Sequence, residues 1–288
     1  AVRADGSTCT CHIANTGSMS GLQVVGNRVA LSRWSNPKRK LERSVELVEV
    51  DDTWVCVNTM MANKVIHACL QKRVLPHLGE YEDILREVPL GRGSRVDFVL
   101  QGPAGKRVVL EVKNVTLVDC SEGLDPANPG KFGERVALFP DAVSLRGQKH
   151  LRELMAAHNP SKTGTESVML FFIPRGDVRC FQPAVAYDPE YARLLWQAHQ
   201  MGVRILAFKF SVGFSLLGSS HDSLTKKNTP PPEHTCPFSR GNTFLCIFYN
   251  QRRDMVALSL LFVLIGARPC HECRYRLQKA LSWRARSP

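Results

Sequence analysis

The stretch Arg95-Val-Asp-Phe-Val-Leu100, the turn Gly102-Pro-Ala-Gly105 and the stretch Arg107-Val-Val-Leu-Glu-Val-Lys113 decide the fold of most of this chain. Two runs rich in Val, Leu and Phe on either side of a turn made of Gly and Pro are typical of a β-hairpin. A turn centred near Ala104 gives paired residues whose numbers add up to about 208. We therefore expect Asp97 to lie opposite Glu111.

The predicted hairpin brings three ionisable side chains together. Glu111 and Lys113 share a strand face because side chains alternate along a strand, and Asp97 faces Glu111. Two adjacent carboxylates repel each other unless a cation lies between them. We therefore predict that Asp97, Glu111 and, from a helical segment over 82–88, Glu87 hold Mg²⁺ or Mn²⁺. Lys113 would then position or deprotonate the attacking water in phosphodiester cleavage, which makes Asp97, Glu111 and Lys113 the candidate catalytic residues. The alternative is a solvated strand face.

Strands alternate with helices after the hairpin, which is typical of an α/β unit. The pattern predicts helices over 143–158 and 189–201 and strands over 168–173 and 203–210. In the first helix, at about 100° per residue, one arc is formed by Leu151, Leu154, Met155 and His158 and another by Arg146, Lys149 and His150. We expect the second arc to bind phosphate oxygens. The alternative is an ordinary solvated helix face.

Before the hairpin, the chain has the pattern of a small β-barrel followed by a helix. Short strands are predicted over 21–26, 27–31, 45–50 and 53–57, and from Asn58 a helical spacing joins Met61, Val65, Ile66 and Cys69. A loop beside Trp34 concentrates the bases Lys38, Arg39, Lys40 and Arg43. A basic loop with an aromatic ring for stacking suits DNA binding, although simple solvation would explain it equally well.

The charge of the chain indicates a polyanionic partner and is unevenly distributed. The 288 residues carry a formal net charge of +12, which favours nucleic acid over an anionic membrane surface. Eleven of the 38 Lys and Arg, but four of the 26 Asp and Glu, lie after residue 210. This tail therefore supplies +7 of the charge, and its sequence predicts no fold. We expect three regions: an OB-like domain over 1–80, an α/β domain over 81–210 and the tail over 211–288.

The ten scattered cysteines indicate reduced thiols in an intracellular protein. We expect a cytoplasmic location, or an organelle if the N-terminus is a processed one. The longest apolar run, Met255 to Ile265, is too short for the roughly 20 residues of a membrane span, so no membrane association is expected.

Six segments in the same order make residues 2–210 resemble the sugar fermentation stimulation protein family. They are His12-Ile-Ala-Asn-Thr-Gly-Ser-Met-Ser-Gly21, Ser35-Asn-Pro-Lys-Arg-Lys40, Val55-Cys-Val-Asn-Thr59, Ser94-Arg-Val-Asp-Phe98, Leu110-Glu-Val-Lys-Asn-Val-Thr116, and Phe139-Pro-Asp-Ala-Val143 running into Arg146-Gly-Gln-Lys-His-Leu-Arg-Glu-Leu-Met155. The resemblance implies an N-terminal OB-like domain, a domain of the PD-(D/E)xK nuclease fold with its motif at Asp97, Glu111 and Lys113, and Glu87 as the further acid.

The resemblance also implies non-specific DNA binding and a link to the regulation of sugar metabolism. Relative to the family, the first strand of the OB-like domain is expected to be missing, and the loop from Asp119 to Phe139 is longer and could gate the site. Our leading hypothesis is a DNA-binding protein with a Mg²⁺- or Mn²⁺-dependent nuclease-like site and no organic cofactor. The alternatives are a DNA-binding regulator without catalytic activity and an RNA-binding or RNA-processing protein.

Overall fold

The computed structural model of the chain describes residues 1–15, 17–75, 77–91, 93–119, 135–216, 246–250 and 258–265. Across these ranges no helix has both the length and the apolar character needed to cross a membrane.

The N-terminal part forms a four-stranded sheet centred on its longest strand. Its strands are β1 (His12–Ile13), β2 (Val29–Arg33), β3 (Arg43–Val50) and β4 (Thr53–Cys56). β3 pairs in parallel with β1 and antiparallel with β2 and β4. Both faces of β3 are covered, so that Glu46 is fully buried between Val45 and Leu47. The prediction of a strand over 21–26 was wrong: this segment forms turns, with positive φ angles at Gly21 and Gly26 that glycine adopts without strain.

The second part is built on a seven-stranded sheet with the order β13-β14-β12-β10-β7-β6-β5. Its strands are β5 (Asp83–Leu90), β6 (Ser94–Gln101), β7 (Arg107–Asn114), β10 (Thr165–Ile173), β12 (Arg204–Leu216), β13 (Cys246–Asn250) and β14 (Leu258–Ile265). The three central strands β7, β10 and β12 run parallel, and the outer pairs are antiparallel. A smaller sheet contains β8 (Leu117–Asp119), β9 (Arg135–Phe139) and β11 (Val178–Pro183).

Helices cover both faces of the large sheet. They are α1 (Met60–Gln71), α2 (Leu145–Ala157), the short α3 (Pro160–Thr163) and α4 (Pro189–Gln200). The four apolar residues whose spacing predicted α1 are all buried, in one core cluster with Leu110 and Phe172. On the opposite face, α2 and α4 bury Leu151 and Leu195 against Phe171. The alternation predicted from the sequence is thus confirmed for the two long helices after the hairpin and for the strands between them.

Three predictions about elements are corrected by the structure. The segment over 82–88 is not helical but belongs to β5, because Ile84 and its neighbours pair along β6. β12 continues past residue 210 as far as Leu216. In the tail, for which no fold was predicted, β14 pairs antiparallel with β12 and β13 pairs with β14. Of the expected long loop between Asp119 and Phe139, residues 120–134 lie outside the described residues.

Candidate active site

The hairpin of β6 and β7 has the register that the sequence predicts. Phe98 pairs with Leu110 and Gln101 with Arg107, and Ala104 lies at the centre of the turn. Continuing this register places Asp97 opposite Glu111. Here a side chain replaces a backbone carbonyl as the acceptor between the strands. Oδ2 of Asp97 accepts a hydrogen bond of 2.7 Å from the N–H of Val112. Asp97 therefore lies between the two strands.

Asp97 is held in a largely dehydrated position close to a second carboxylate. Its Oδ1 accepts a hydrogen bond of 2.6 Å from Nδ2 of Asn63 in α1. Burial, and after it the negative charge of Glu111, raise the pKa of Asp97 to about 6, against the opposing hydrogen bonds from Val112 and Asn63. The site thus contains a carboxylate whose charge the protein alone does not fully compensate.

Glu111 is 4% exposed and has two nitrogen partners. Lys113 Nζ donates to its Oε1 over 2.7 Å, and Nδ1 of His150 in α2 contacts the same oxygen. Nε2 of His150 accepts from Arg146, and Nδ1 also lies 3.0 Å from Nζ of Lys113. Although burial raises the pKa of Glu111, the His150 hydrogen bond and the charge of Lys113 outweigh it and lower this pKa.

Glu87 does not join Asp97 and Glu111. It lies on β5 between Arg86 and Val88, which pair with Phe98 and Val96, so the register places it next to Asp97 across the sheet. Its side chain is exposed and its backbone is left-handed, with φ of 49°. Within the part of the chain that the structure describes, no group of three or more His, Cys, Asp or Glu side chains is arranged to hold a metal ion.

The donor set nevertheless fits a hard divalent cation. Asp97 and Glu111 offer oxygen ligands, which Mg²⁺ and Mn²⁺ prefer, and Mg²⁺ in nucleotide-processing sites is bound by one or two carboxylates with substrate phosphate and water completing the shell. Ionised Asp97 is disfavoured by burial and by the negative charge of Glu111, so its stabilisation calls for further positive charge. A cation between Asp97 and Glu111 would supply it.

The predicted basic arc of α2 is only partly exposed. Arg146 and Lys149 lie at the surface, where Lys149 pairs with Glu153 over 3.7 Å. His150, in contrast, is 5% exposed and contacts Glu111 and Lys113. The helix thus directs this side chain towards the sheet and away from the exposed arc, and its contact with DNA stays a prediction.

The basic loop before β3 presents two of its four bases freely to solvent. Lys38 and Lys40 are exposed, whereas Arg39 and Arg43 are partly buried. The guanidinium of Arg39 lies 4.5 Å from the centroid of the Trp34 ring, and it donates to Ser44. One face of Trp34 is therefore covered by Arg39, so the expected stacking of bases on this ring is restricted to its other face.

Asn63 is the site residue that the sequence analysis missed. It lies on α1 among the apolar residues Met61, Ala62 and Val65, and nothing in the local pattern separates it from an ordinary solvated position. Asn63 is only half-buried, and the carboxylate that it contacts lies 34 residues away, so the local sequence offered no signal for this role.

Comparison with known proteins identifies the family. The model of the sugar fermentation stimulation protein RE domain matches residues 60–215, and the model of the SfsA N-terminal OB domain matches residues 1–57. The sugar fermentation stimulation protein homolog of Synechococcus elongatus is 42% identical over 219 residues, which cover 74% of this chain and 84% of the relative. That of Citrifermentans bemidjiense is 45% identical over 208 residues, which cover 72% and 82%.

A solved structure shares the fold. The Pyrococcus furiosus SfsA in complex with Ca²⁺ superposes with a TM-score of 0.60 at 24% identity, over 72% of this chain and 81% of the other. The predicted OB domain followed by a mixed α/β domain is thereby confirmed. Since two family models and relatives of more than 40% identity span most of its described residues, the chain belongs to the sugar fermentation stimulation protein family.

Proposed function

We propose that this protein binds nucleic acid without sequence specificity and cleaves its phosphodiester bonds with the help of Mg²⁺ or Mn²⁺. The observation that carries the proposal is the pair Asp97 and Glu111, a half-buried and a buried carboxylate brought together with Lys113 where β6 and β7 separate. A structural relative described with bound Ca²⁺ supports divalent cation binding in this fold.

In this proposal Asp97 and Glu111 would hold the cation, and the exposed Glu87 would not bind it. A divalent cation in such a site polarises the phosphate and lowers the pKa of a nearby water. Asn63 and the Val112 N–H fix the Asp97 carboxylate, and His150 fixes Glu111. Lys113, with its Nζ 2.7 Å from Glu111, lies where it can donate to the attacking water or to a phosphate oxygen.

The surface beside the site supports binding of a polyanion. Arg146 and Lys149 are exposed on α2, the helix that carries His150. Lys38 and Lys40 add positive charge on the OB domain. Side chains of this kind contact phosphates without reading sequence, so we propose DNA as the partner, with RNA as a further one.

A cleavage assay tests the proposal. The wild-type protein and the variants Glu111→Gln and Lys113→Met are incubated with circular and single-stranded DNA, with Mn²⁺ or with EDTA. We expect metal-dependent cleavage by the wild type, a loss of at least about 100-fold in both variants, and unchanged DNA binding. Glu82→Gln, at an exposed acid before β5, is the matched control and should cleave normally.

Other outcomes would assign a different function. DNA binding without cleavage in any metal would contradict the nuclease and favour a non-catalytic regulator. Displacement of DNA by RNA at far lower concentration would favour an RNA-binding or RNA-processing role. Loss of activity in Glu87→Gln as large as in Glu111→Gln would show that Glu87 joins the metal site after all.

A further inference from the structure

We propose that a cavity at the N-terminal ends of α1 and α2 holds one unpaired nucleobase of the substrate, which makes single-stranded or frayed nucleic acid the substrate class; this inference rests on the proposed function. The cavity has a volume of about 300 Å³ and lies between Asn15, Gly17 and Ser18 of the OB domain and the segment 138–144 before α2. Its wall includes Thr59 and Ser144, which begin α1 and α2, so the cavity lies within about two helical turns of Asn63 and His150, the residues that contact Asp97 and Glu111. A base in this cavity would therefore belong to a nucleotide at the proposed catalytic centre.

The lining of the cavity fits an uncharged ligand with a polar edge. Its described residues combine amides and hydroxyls with apolar groups such as Phe139 and Pro140, and they include neither Lys nor Arg. The one carboxylate, Asp141, already accepts hydrogen bonds from the Ser18 hydroxyl and the Met19 N–H. A phosphate would find no cationic partner in this lining, whereas a nucleobase has apolar faces and a hydrogen-bonding edge. The volume is at the lower end of small-molecule sites.

Asn114 supplies the polar contact that such a base needs. Its Oδ1 is buried, and among the residues that the structure describes it has no hydrogen-bond partner. A buried acceptor of this kind costs free energy until a donor reaches it. Asn side chains commonly pair with the edge of a base, where the carboxamide meets an exocyclic amino group and a ring nitrogen. A turn of the Asn114 carboxamide towards the cavity would give this oxygen the amino or imino group of a nucleobase as its partner.

Exposed apolar side chains stand next to the cavity. Met60 is 63%, Val143 66% and Leu145 73% exposed; Val143 lines the cavity, and Met60 and Leu145 directly follow the lining residues Thr59 and Ser144. Apolar side chains at a nucleic-acid surface insert between base steps and unstack them. A base paired inside a duplex cannot enter a protein cavity, so entry requires an unpaired nucleotide. The cavity and its apolar rim therefore favour single strands.

The test measures binding of single-stranded oligonucleotides in which one abasic position is moved along the strand. Fluorescence anisotropy in EDTA records binding without cleavage. For the wild type we expect one position at which the missing base weakens binding by roughly tenfold, and a fully paired duplex of the same length that binds at least about tenfold more weakly. In Asn114→Leu, which keeps the shape but loses the carboxamide, the intact and abasic strands should bind equally.

Controls separate the cavity from folding and from the proposed function. Gln200→Leu removes an exposed carboxamide at the end of α4 and should keep the wild-type dependence. Thr116→Val, which removes one hydroxyl from the lining with little change of shape, should reduce the dependence even if Asn114→Leu proves poorly folded by its melting temperature.

A base dependence that survives both variants, equal effects of the abasic site at every position, or equal affinity for duplex and single strand would overturn the inference. The proposed function would still hold in these cases if the wild type cleaves with Mn²⁺ and Glu111→Gln does not. Failure of the wild type to bind any nucleic acid would overturn both.

Discussion

At the scale of single residues, the folded site disfavours the ionised form of one carboxylate. Asp97 is half-buried between β6 and β7 and faces the charge of Glu111, and its pKa is raised to about 6. In the unfolded chain the pKa of Asp is about 3.9. The ionised form is therefore disfavoured by folding, which is the expected cost of a site prepared for a cation.

Because folding disfavours ionised Asp97, we predict that Asp97→Asn stabilises the metal-free protein. The cost of ionised Asp97 is absent below about pH 3, where the carboxyl is protonated in both states, grows as the unfolded chain ionises, and is complete above about pH 7. A shift of about two pKa units sets an upper limit of about 3 kcal/mol. We expect urea unfolding in EDTA to give a gain of about 1–3 kcal/mol at pH 7.5 and none at pH 3. Asn63 can rotate its carboxamide to pair with the new amide.

The exposed Asp83→Asn on β5 is the control for this measurement. It should leave stability unchanged at both pH values. Added Mg²⁺ should raise the melting temperature of the wild type and of Asp83→Asn but not that of Asp97→Asn. Lower stability of Asp97→Asn than of the wild type at pH 7.5 would show that the lost hydrogen bonds outweigh the relieved repulsion.

The neighbours Lys149 and His150 are predicted to have separable roles. His150 contacts Glu111, so His150→Gln should lower metal-dependent cleavage by about 10–100-fold and raise the Mn²⁺ concentration for half-maximal activity, with DNA affinity retained. Lys149 is exposed, so Lys149→Gln should weaken DNA binding and reduce the salt slope by about 1, with the Mn²⁺ dependence unchanged. Equal loss of affinity in both variants would mean that His150 contacts DNA directly.

At the scale of elements, a buried ionic network joins three separate segments of the chain. Asp177, before β11, accepts hydrogen bonds from Arg175 and from Arg135 of β9. Arg135 also pairs with Asp51 in the turn between β3 and β4, and Arg175 donates to the carbonyl of Thr116. The two arginines are 5% and 1% exposed. The network therefore ties the OB domain to the smaller sheet.

We predict that Asp177→Asn destabilises the fold by about 3–5 kcal/mol, because it leaves two buried guanidinium groups without their shared carboxylate. Burial alone would raise the pKa of Asp177, but the hydrogen bonds and charge of Arg175, followed by those of Arg135, hold it below its usual value. This contribution to stability is therefore present above about pH 4 and is lost as the pH falls through the lowered pKa.

Urea unfolding at pH 7 and at pH 3 measures both effects. The difference between wild type and Asp177→Asn should be largest at pH 7 and shrink at pH 3. Asp52→Asn, at an exposed residue of the turn that carries Asp51, is the matched control and should cost less than about 0.5 kcal/mol. A cost at pH 7 no larger than that of the control would show that the network does not stabilise the fold.

At the scale of the whole molecule, the two domains share one hydrophobic core. Leu47 and Cys56 of the N-terminal sheet lie in the same buried cluster as Ile66 of α1 and Phe172 and Phe208 of the large sheet. This shared core places α1, with Asn63, against the hairpin that carries Asp97. The candidate site therefore depends on how the domains pack and not on one domain alone.

The residues after 210 carry +7 of the net charge, but we do not expect them to be the main contact with nucleic acid. We predict that a chain ending at Leu216 binds DNA within about threefold of the full-length affinity, because the site, α2 and the basic loop all precede this point. β12 stays complete, since it ends at Leu216, and the family model ends at residue 215. Fluorescence anisotropy against the full chain at one salt concentration checks the prediction.

A loss of affinity of more than about tenfold in the shortened chain would place the main DNA contact in residues 217–288. A chain ending at Val203 is the negative control. It lacks β12, whose Phe208 and Phe210 are almost fully buried, and it should not fold. A folded chain without β12 would contradict the assignment of that strand to the core.

The sequence by itself determined the β6–β7 hairpin, its register, the long helices and the family, because strand alternation, turn residues and helical periodicity are local properties that neighbours along the chain express. It therefore placed Asp97 beside Glu111 and Lys113 correctly. Only the tertiary structure decided which other side chains reach them, since Asn63 and His150 lie 34 and 39 residues from the carboxylates that they contact. Packing of α1 and α2 on opposite faces of the sheet brings them there. The same packing leaves Glu87 exposed on β5, because contacts between distant segments depend on the fold and leave no periodic pattern in the sequence.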